Sequence, residues 1–337
     1  MEKLCVEEPI SAGIILSYKC TSECKHCMYG CSPRWKADWI SEKDLQRILT
    51  QLSDTIQPNP LGNKIGINYG LHFTGGEPFL NFELLVRATE IAKEFGIPST
   101  FAETNSFWCI DDEGTREKFI RLKDSGLDGT LISVNPFILD QVPFERTERG
   151  IRISREIFGV NAITYQDVFH RRFAKLGIKS TMPFEEYSRI DTNGLTGAEL
   201  LPMGRAVYKL NHLYRRFPAR QFFGESCIVE LTRGWHIHID NYCNYMTGYC
   251  GGISLGDGRD IHSILRGVDL GERPILNALV TNLGSLVKFS SQQFGYEEQK
   301  EGYISKCHLC LDVRKHIALN TAQFKELQPR EFYYHFE

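Results

Sequence analysis

The chain has 337 residues, with 39 lysines and arginines against 42 aspartates and glutamates, a formal net charge of −3. That balance leaves no basic footprint for nucleic acid, which argues against RNA or DNA as a partner. No run of about 18 apolar residues is present to cross a membrane, and the acidic start MEKLCVEEPI lacks an apolar signal core. Eleven cysteines, an odd number in a long chain, argue against a disulfide scaffold and for metal chemistry in a reducing cytoplasm.

The first apolar run, Ala12-Gly-Ile-Ile-Leu16, reads as a strand and leads into Cys20-Thr-Ser-Glu-Cys24-Lys-His-Cys27. Three thiolates at C-x3-C-x2-C spacing suit three corners of a cubane iron–sulfur cluster. Such clusters ordinarily take four cysteines, so the deficit leaves one iron open to a ligand that is not protein. A zinc knuckle with His26 as fourth ligand is the competing reading. After a loop over 28–39, Ser41 is an N-cap with Asp44 three residues on, and Leu45, Ile48, Leu49 and Leu52 share one helical face. Residues 65–74 read as a strand that ends in Gly75-Gly76-Glu77-Pro78. Those glycines let backbone carbonyls approach a ligand, and Glu77 adds charge suited to an ammonium. Leu84, Leu85, Ala88, Ile91, Ala92 and Phe95 form the next helix face, stopped by Gly96. A strand over 99–104 and a helix over 112–125 follow, then a strand over 130–134 and a helix over 147–158. A strand over 161–165, a helix over 167–175 and a sixth strand over 178–184 complete the series. Alternation of this kind implies parallel β/α units.

The cysteine triplet after a first strand, with Gly-Gly-Glu-Pro after a second, resembles the radical S-adenosylmethionine (SAM) superfamily. The resemblance implies an α/β fold, a partial (β/α)6 TIM-like barrel over residues 1–205, with its chemistry at the C-terminal ends of the strands. It implies a 4Fe–4S cluster on Cys20, Cys24 and Cys27, with SAM chelating the open iron through its amino and carboxylate groups. Gly75, Gly76, Glu77 and Pro78 would then bind the methionyl amino group. His26 stands where the family usually has an aromatic residue near the adenine. Glu103, Thr104 and Asn105 after the third strand, and Ser133 and Asn135 after the fourth, would contact the ribose and carboxylate of SAM. Each is also an ordinary polar turn residue. Leu201-Pro-Met-Gly-Arg-Ala206 is similar to a turn that closes such barrels. Arg205 there pairs with a carboxylate or lies at the surface.

The remainder, 206–337, changes character. Cys227 precedes a period-two strand over 235–240. Its turn is Asn241-Tyr-Cys-Asn244, Cys250 follows, and Cys307-His-Leu-Cys310 comes much later. Cys227, Cys250, Cys307 and Cys310 are a full set for a second 4Fe–4S cluster, or for tetrahedral zinc. The layout resembles the twitch and SPASM auxiliary-cluster domains. A full SPASM domain carries more cysteines, so one auxiliary cluster in a small hairpin-plus-helix domain fits better. Cys243 at the turn reads as a non-ligand, with substitution for Cys227 or Cys250 as the alternative, and His236 and His238 as packing or surface residues. Residues 274–289 and 311–327 read as helices over the hairpin, and the aromatic tail at 332–336 as a packing element.

What the resemblance implies for function is reductive cleavage of SAM to a 5′-deoxyadenosyl radical that abstracts hydrogen from a substrate. An external electron donor such as flavodoxin or ferredoxin would supply the electron. The substrate expected is a peptide or protein residue undergoing epimerisation, crosslinking, oxidation or methylation. A small molecule such as a sugar or cofactor precursor is the alternative, and a non-catalytic zinc or iron–sulfur protein the alternative of another class. The triplet begins at residue 20, which weakens the case for a preceding leader-peptide domain or a cobalamin domain. Cys5, Cys31, Cys109 and Cys243 are left over. Cys109, after Thr104-Asn-Ser-Phe-Trp108, is the candidate hydrogen-atom donor to a substrate radical, against its reading as a small buried residue.

Overall fold

The computed structural model describes residues 2–36, 38–62, 64–191 and 194–336. Two compact units are present: Ile10–Cys24 with Cys31–Glu199, and Met1–Pro9 with Lys25–Gly30 and Leu200–Glu337. Where the sequence suggests a division at 205/206, the chain passes between units at Glu199 and Leu200. The segment carrying the third cysteine of the triplet falls in the second unit.

The first unit is a parallel sheet with helices between its strands. Strands β1 (Ser11–Ile15), β2 (Gly70–Thr74), β3 (Phe101–Thr104), β4 (Gly129–Ser133) and β5 (Ala162–Tyr165) lie side by side in chain order. The register sets Ile14 beside Phe73, His72 beside Phe101, Glu103 beside Leu131 and Ser133 beside Tyr165. Every residue of β1 and β2 is buried, as expected of parallel strands covered on both faces. Helices α1 (Glu42–Leu52), α2 (Phe82–Glu94), α3 (Asp112–Ser125), α4 (Pro136–Leu139) and α5 (Phe144–Phe158) separate the strands, and α6 (Asp167–Lys175) follows β5. Local signals explain their ends. Ser41 accepts the Asp44 amide at 3.1 Å to start α1. Gly126, at φ +113°, closes α3 in a conformation that costs a glycine least.

The sixth strand expected over 178–184 is not formed. This backbone instead receives the open end of α5, which Pro143 leaves without a side-chain cap. The amides of Phe144 and Glu145 donate to Ser180 O and Lys179 O, at 3.4 and 2.8 Å, and Met182 N donates to Leu139 O at 3.1 Å. The amides of a helix's first turn need acceptors from outside it, and here that need competes with strand pairing.

The second unit contains the hairpin β6 (Ile237–Ile239) and β7 (Asn244–Thr247), with Ile237 opposite Thr247 and Ile239 opposite Tyr245. The helix expected over 274–289 is two, Pro274–Thr281 and Leu283–Phe294, because the Asn282 side chain caps the second by accepting Ser285 N at 2.8 Å. The helix expected over 311–327 runs instead over Lys306–Asn320, capped by Ser305, which accepts His308 N at 3.1 Å. That shift puts Cys307 and Cys310 in its first turns. Among the described residues, no helix is long and apolar enough to cross a membrane.

Candidate active site and a four-cysteine centre

In the first unit, two sequence motifs some fifty residues apart meet at the ends of β1 and β2. The turn after β2 lies directly on the backbone that leads into Cys20. Gly76 N donates to Ser17 O at 2.8 Å and Glu77 N to Lys19 O at 3.0 Å. The approach excludes side chains: a Cβ on Gly76 would lie 1.9 Å from Lys19 O and 2.8 Å from Cys20 N. Gly75, at φ +134°, would put one 2.3 Å from Ser17 O. Among the described residues, no donor engages the carbonyls of Gly75 and Gly76. They are therefore available to an ammonium beside the cysteine loop.

Glu77 does not present its charge to a ligand, as the sequence suggested. It is 1% exposed, and its carboxylate accepts Phe79 N at 3.2 Å, Asn105 N at 2.8 Å and the Thr104 hydroxyl at 2.9 Å. It clamps the turn to the end of β3. Burial outweighs these bonds and pushes its carboxyl up to about 7. Pro78, buried, begins the short 3-10 turn Pro78–Asn81 that this clamp holds. Asn105 reaches the cysteine loop: its Nδ2 lies 3.3 Å from Ser22 Oγ, 3.4 Å from Thr21 Oγ1 and 3.8 Å from Cys20 Sγ. The Ser22 amide donates to the same sulfur at 3.4 Å. Two neutral N–H groups thus favour a thiolate at Cys20.

Glu103 closes β3 with a side chain 29% exposed. It accepts the Thr74 hydroxyl at 2.6 Å, and His72 Nε2 lies 3.9 Å away. Burial raises its pKa. Ser133 closes β4, half-buried. Asn135 is buried, and its Oδ1 accepts Phe137 N and Ile138 N at 3.0 Å each, so this oxygen caps α4 and is not turned to a cofactor. Cys109 is fully buried. Its Sγ would meet a Cβ on Gly150 of α5 at 3.1 Å, and burial pushes its thiol up to about 12. A hydrogen-atom donor must be reachable by its substrate, and this thiol packs against a helix.

Cys27 lies on the Lys25–Gly30 segment of the second unit. Its carbonyl accepts Arg205 N at 3.0 Å, and a Cβ on Gly204 would lie 2.6 Å from the same oxygen. Arg205 is neither a surface residue nor spent on a carboxylate alone. It is 1% exposed and donates to Gly30 O at 2.7 Å and His335 O at 3.1 Å. The Gly-Arg turn is thus the seat of the segment bearing the third cysteine. His26 beside it is held neutral, its pKa lowered to about 4 by burial and by the Arg205 charge.

The second unit also brings Cys227, Cys250, Cys307 and Cys310 together. Cys227 precedes the helix Ile228–Thr232, Cys250 follows β7, and the other two open the helix Lys306–Asn320. The thiols of Cys227 and Cys310 lie near enough to act on one another, raising Cys227 and lowering Cys310 to about 6. Burial and the neighbouring sulfurs push Cys307 up to about 12 and Cys250 up to about 11. Three of these thiols resist ionising, and a bound metal group, whose charge reverses that cost, would suit them. Cys243 stands at the hairpin turn at φ +63°, its carbonyl accepting Gly258 N at 2.7 Å. His238 packs in the hairpin, its Nδ1 2.9 Å from Gly248 O.

Sequence reasoning missed Arg314 and Tyr333. Arg314 donates from Nε to Cys310 Sγ at 3.2 Å, and from Nη1 to Gly251 O at 3.0 Å and to the Tyr333 hydroxyl at 2.7 Å. Its spacing of four from Cys310 on one helix was the available signal.

No family model matches the chain, and no curated protein is similar to it in sequence. Its structure is similar to that of BtrN in complex with AdoMet and 2-DOIA, with TM-score 0.42 and 12% identity over 82% of this chain and 89% of that one. It is similar to native anSMEcpe with bound AdoMet, with TM-score 0.40 and 13% identity over 75% and 78%. For Streptococcus suis SuiB bound to S-adenosylmethionine the values are 0.30, 13%, 81% and 66%. Likeness of this degree carries no argument about what this chain binds or does.

Proposed function

We propose that the chain is a radical SAM enzyme. The observation that carries this reading is the seating of the Gly75-Gly76 turn on the backbone of residues 17–20. It sets two open carbonyls beside a loop of cysteines one short of a full cluster set. When bound, a 4Fe–4S cluster on that loop would pass an electron from an external donor, such as flavodoxin or ferredoxin, into SAM and yield methionine and a hydrogen-abstracting 5′-deoxyadenosyl radical.

The chain's own residues have separable tasks in this reading. Cys20, Cys24 and Cys27 hold the cluster. The carbonyls of Gly75 and Gly76 receive the methionyl ammonium. Glu77 keeps the turn in place by binding backbone and hydroxyl donors of 79, 104 and 105. Asn105 orients the loop through Ser22 and Cys20. Glu103, a partly exposed carboxylate at a strand end, is suited to a ribose hydroxyl. Cys227, Cys250, Cys307 and Cys310 hold a second 4Fe–4S cluster with no open iron, suited to electron transfer. The resemblance of the C-terminal cysteine layout to twitch and SPASM domains supports a peptide or protein residue as substrate, with a small molecule as the alternative. A reducing cytoplasm suits both centres.

Anaerobic reconstitution with iron and sulfide tests this. A brown protein whose N-terminal cluster changes its electron-spin spectrum on adding SAM, and which forms 5′-deoxyadenosine with dithionite, is expected. A colourless zinc protein, or a spectrum indifferent to SAM, overturns the reading. Deuterium transfer from candidate peptides into 5′-deoxyadenosine then separates the substrate classes.

A further inference from the structure

The helix Lys306–Asn320 carries Cys310 and, one turn on, Arg314. Arg314 is 6% exposed. Its hydrogen-bond partners are Cys310 Sγ, Gly251 O and the Tyr333 hydroxyl. Tyr333 in turn donates to Gly252 O at 2.5 Å, so two carbonyls of the turn after Cys250 and one tail tyrosine fix the guanidinium. Among the described residues, no carboxylate pairs with Arg314. A buried guanidinium is costly unless a negative charge answers it. Among the described residues, the groups its guanidinium bonds are the Cys310 sulfur, one carbonyl and one hydroxyl.

Lys306 makes a useful contrast. It is another cation beside these cysteines, and its Nζ lies 2.7 Å from Glu230 and 3.7 Å from Glu225. Its charge is balanced locally. The charge of Arg314 is not, and a guanidinium keeps its proton at any working pH.

We propose that Arg314 sets the reduction potential of an iron–sulfur cluster held by Cys227, Cys250, Cys307 and Cys310, drawing it to a more positive value. The proposal rests on the reading above, that this centre is a cluster and not zinc. Reduction adds one electron and no proton, so the centre becomes more negative by one charge. A fixed buried cation bonded to a ligand sulfur stabilises the reduced form more than the oxidised one. Arg314 is a positioning residue in this account: it acts through Cys310 and touches no substrate.

The test uses the full chain with Cys20, Cys24 and Cys27 changed to Ala, so that only the C-terminal centre reports. Iron and sulfide content is measured first, then a dye-mediated potentiometric titration is followed by electron-spin resonance, with dithionite supplying the electron. Arg314→Gln is expected to keep its iron and to titrate at a more negative potential, with the reduction equilibrium changed about tenfold, which is about 59 mV for one electron. Arg314→Lys, which keeps the charge and loses the fork, is expected to shift less. Full iron with an unchanged potential in Arg314→Gln overturns the proposal alone. If that variant loses iron, Arg314→Lys decides, because it removes the Nε–Sγ bond; a potential unmoved there overturns the proposal as well. A parent protein that takes up zinc, or no iron, overturns the cluster reading and the proposal with it.

Discussion

The two cysteine centres polarise sulfur by different means. Cys20 accepts from a backbone amide and an asparagine side chain, both neutral. Cys310 accepts from a buried guanidinium, and Cys307 stands in the first turn of the same 15-residue helix, whose N-terminal amides add positive potential there. The first centre stands on a loop braced by glycines; the second stands on a helix braced by an arginine and a tyrosine. Neutral dipoles favour a thiolate without favouring an extra electron as strongly as a cation does. If both sets hold clusters, as proposed above, the contrast suits a strongly reducing centre at the N-terminal loop and a milder one at the C-terminal set.

The largest effect expected from breaking this contrast comes from the thiolates. Cys20→Ala, Cys24→Ala or Cys27→Ala is expected to abolish 5′-deoxyadenosine formation, while iron analysis still finds the C-terminal cluster. Cys310→Ala is expected to leave the response of the N-terminal centre to SAM intact. Equal damage to both centres by either change would erase the distinction.

The backbone contact comes next. Gly76→Ala drives a Cβ into the Lys19 carbonyl. A loss of roughly 3 kcal/mol or more in unfolding free energy is expected, with a displaced Cys20 loop. An unchanged melting temperature together with an unchanged electron-spin spectrum would mean that the turn is not the seat of the loop.

The clamp beneath that turn titrates. Burial lifts Glu77 from 4.5 to about 7, so the proton favours the folded state. That stabilisation is complete below pH 4.5 and is lost as pH rises through about 7. It amounts to roughly 3 kcal/mol at 1.36 kcal/mol per pH unit. Glu77→Gln does not titrate. Denaturant unfolding of the metal-free protein is therefore expected to show the variant gaining on wild type by that amount across the window. A difference independent of pH would remove the excess proton from Glu77.

The smallest effect concerns Cys109. Cys109→Ala leaves a small void against Gly150 and is expected to cost about 1 kcal/mol while SAM cleavage continues at the wild-type rate. Loss of turnover with stability intact would return this thiol to the reaction.

Much of the first unit was legible because its signals are short-ranged. Ser41 before Asp44, Gly126 after a helical face, and alternating strands and helices are each decided within a few residues. The sixth strand failed as an expectation because residues 178–184 answer a need set elsewhere, at the uncapped start of α5. Glu77 was legible as part of a motif but not in its direction, since the donors that turn it inward come from residues 79, 104 and 105. Arg205 was singled out, yet its partners lie at Gly30 and His335.

By itself the sequence determined that cysteines stand in a set of three and a set of four, that glycines follow the second strand, and where most helices stop. Those are matters of covalent spacing and local backbone preference. Only the tertiary structure decided that Gly76 rests on Lys19, that Cys109 is sealed under a helix, and that a buried cation lies against Cys310. Such facts depend on which distant groups share a low-dielectric interior, and burial there multiplies the value of every charge and hydrogen bond.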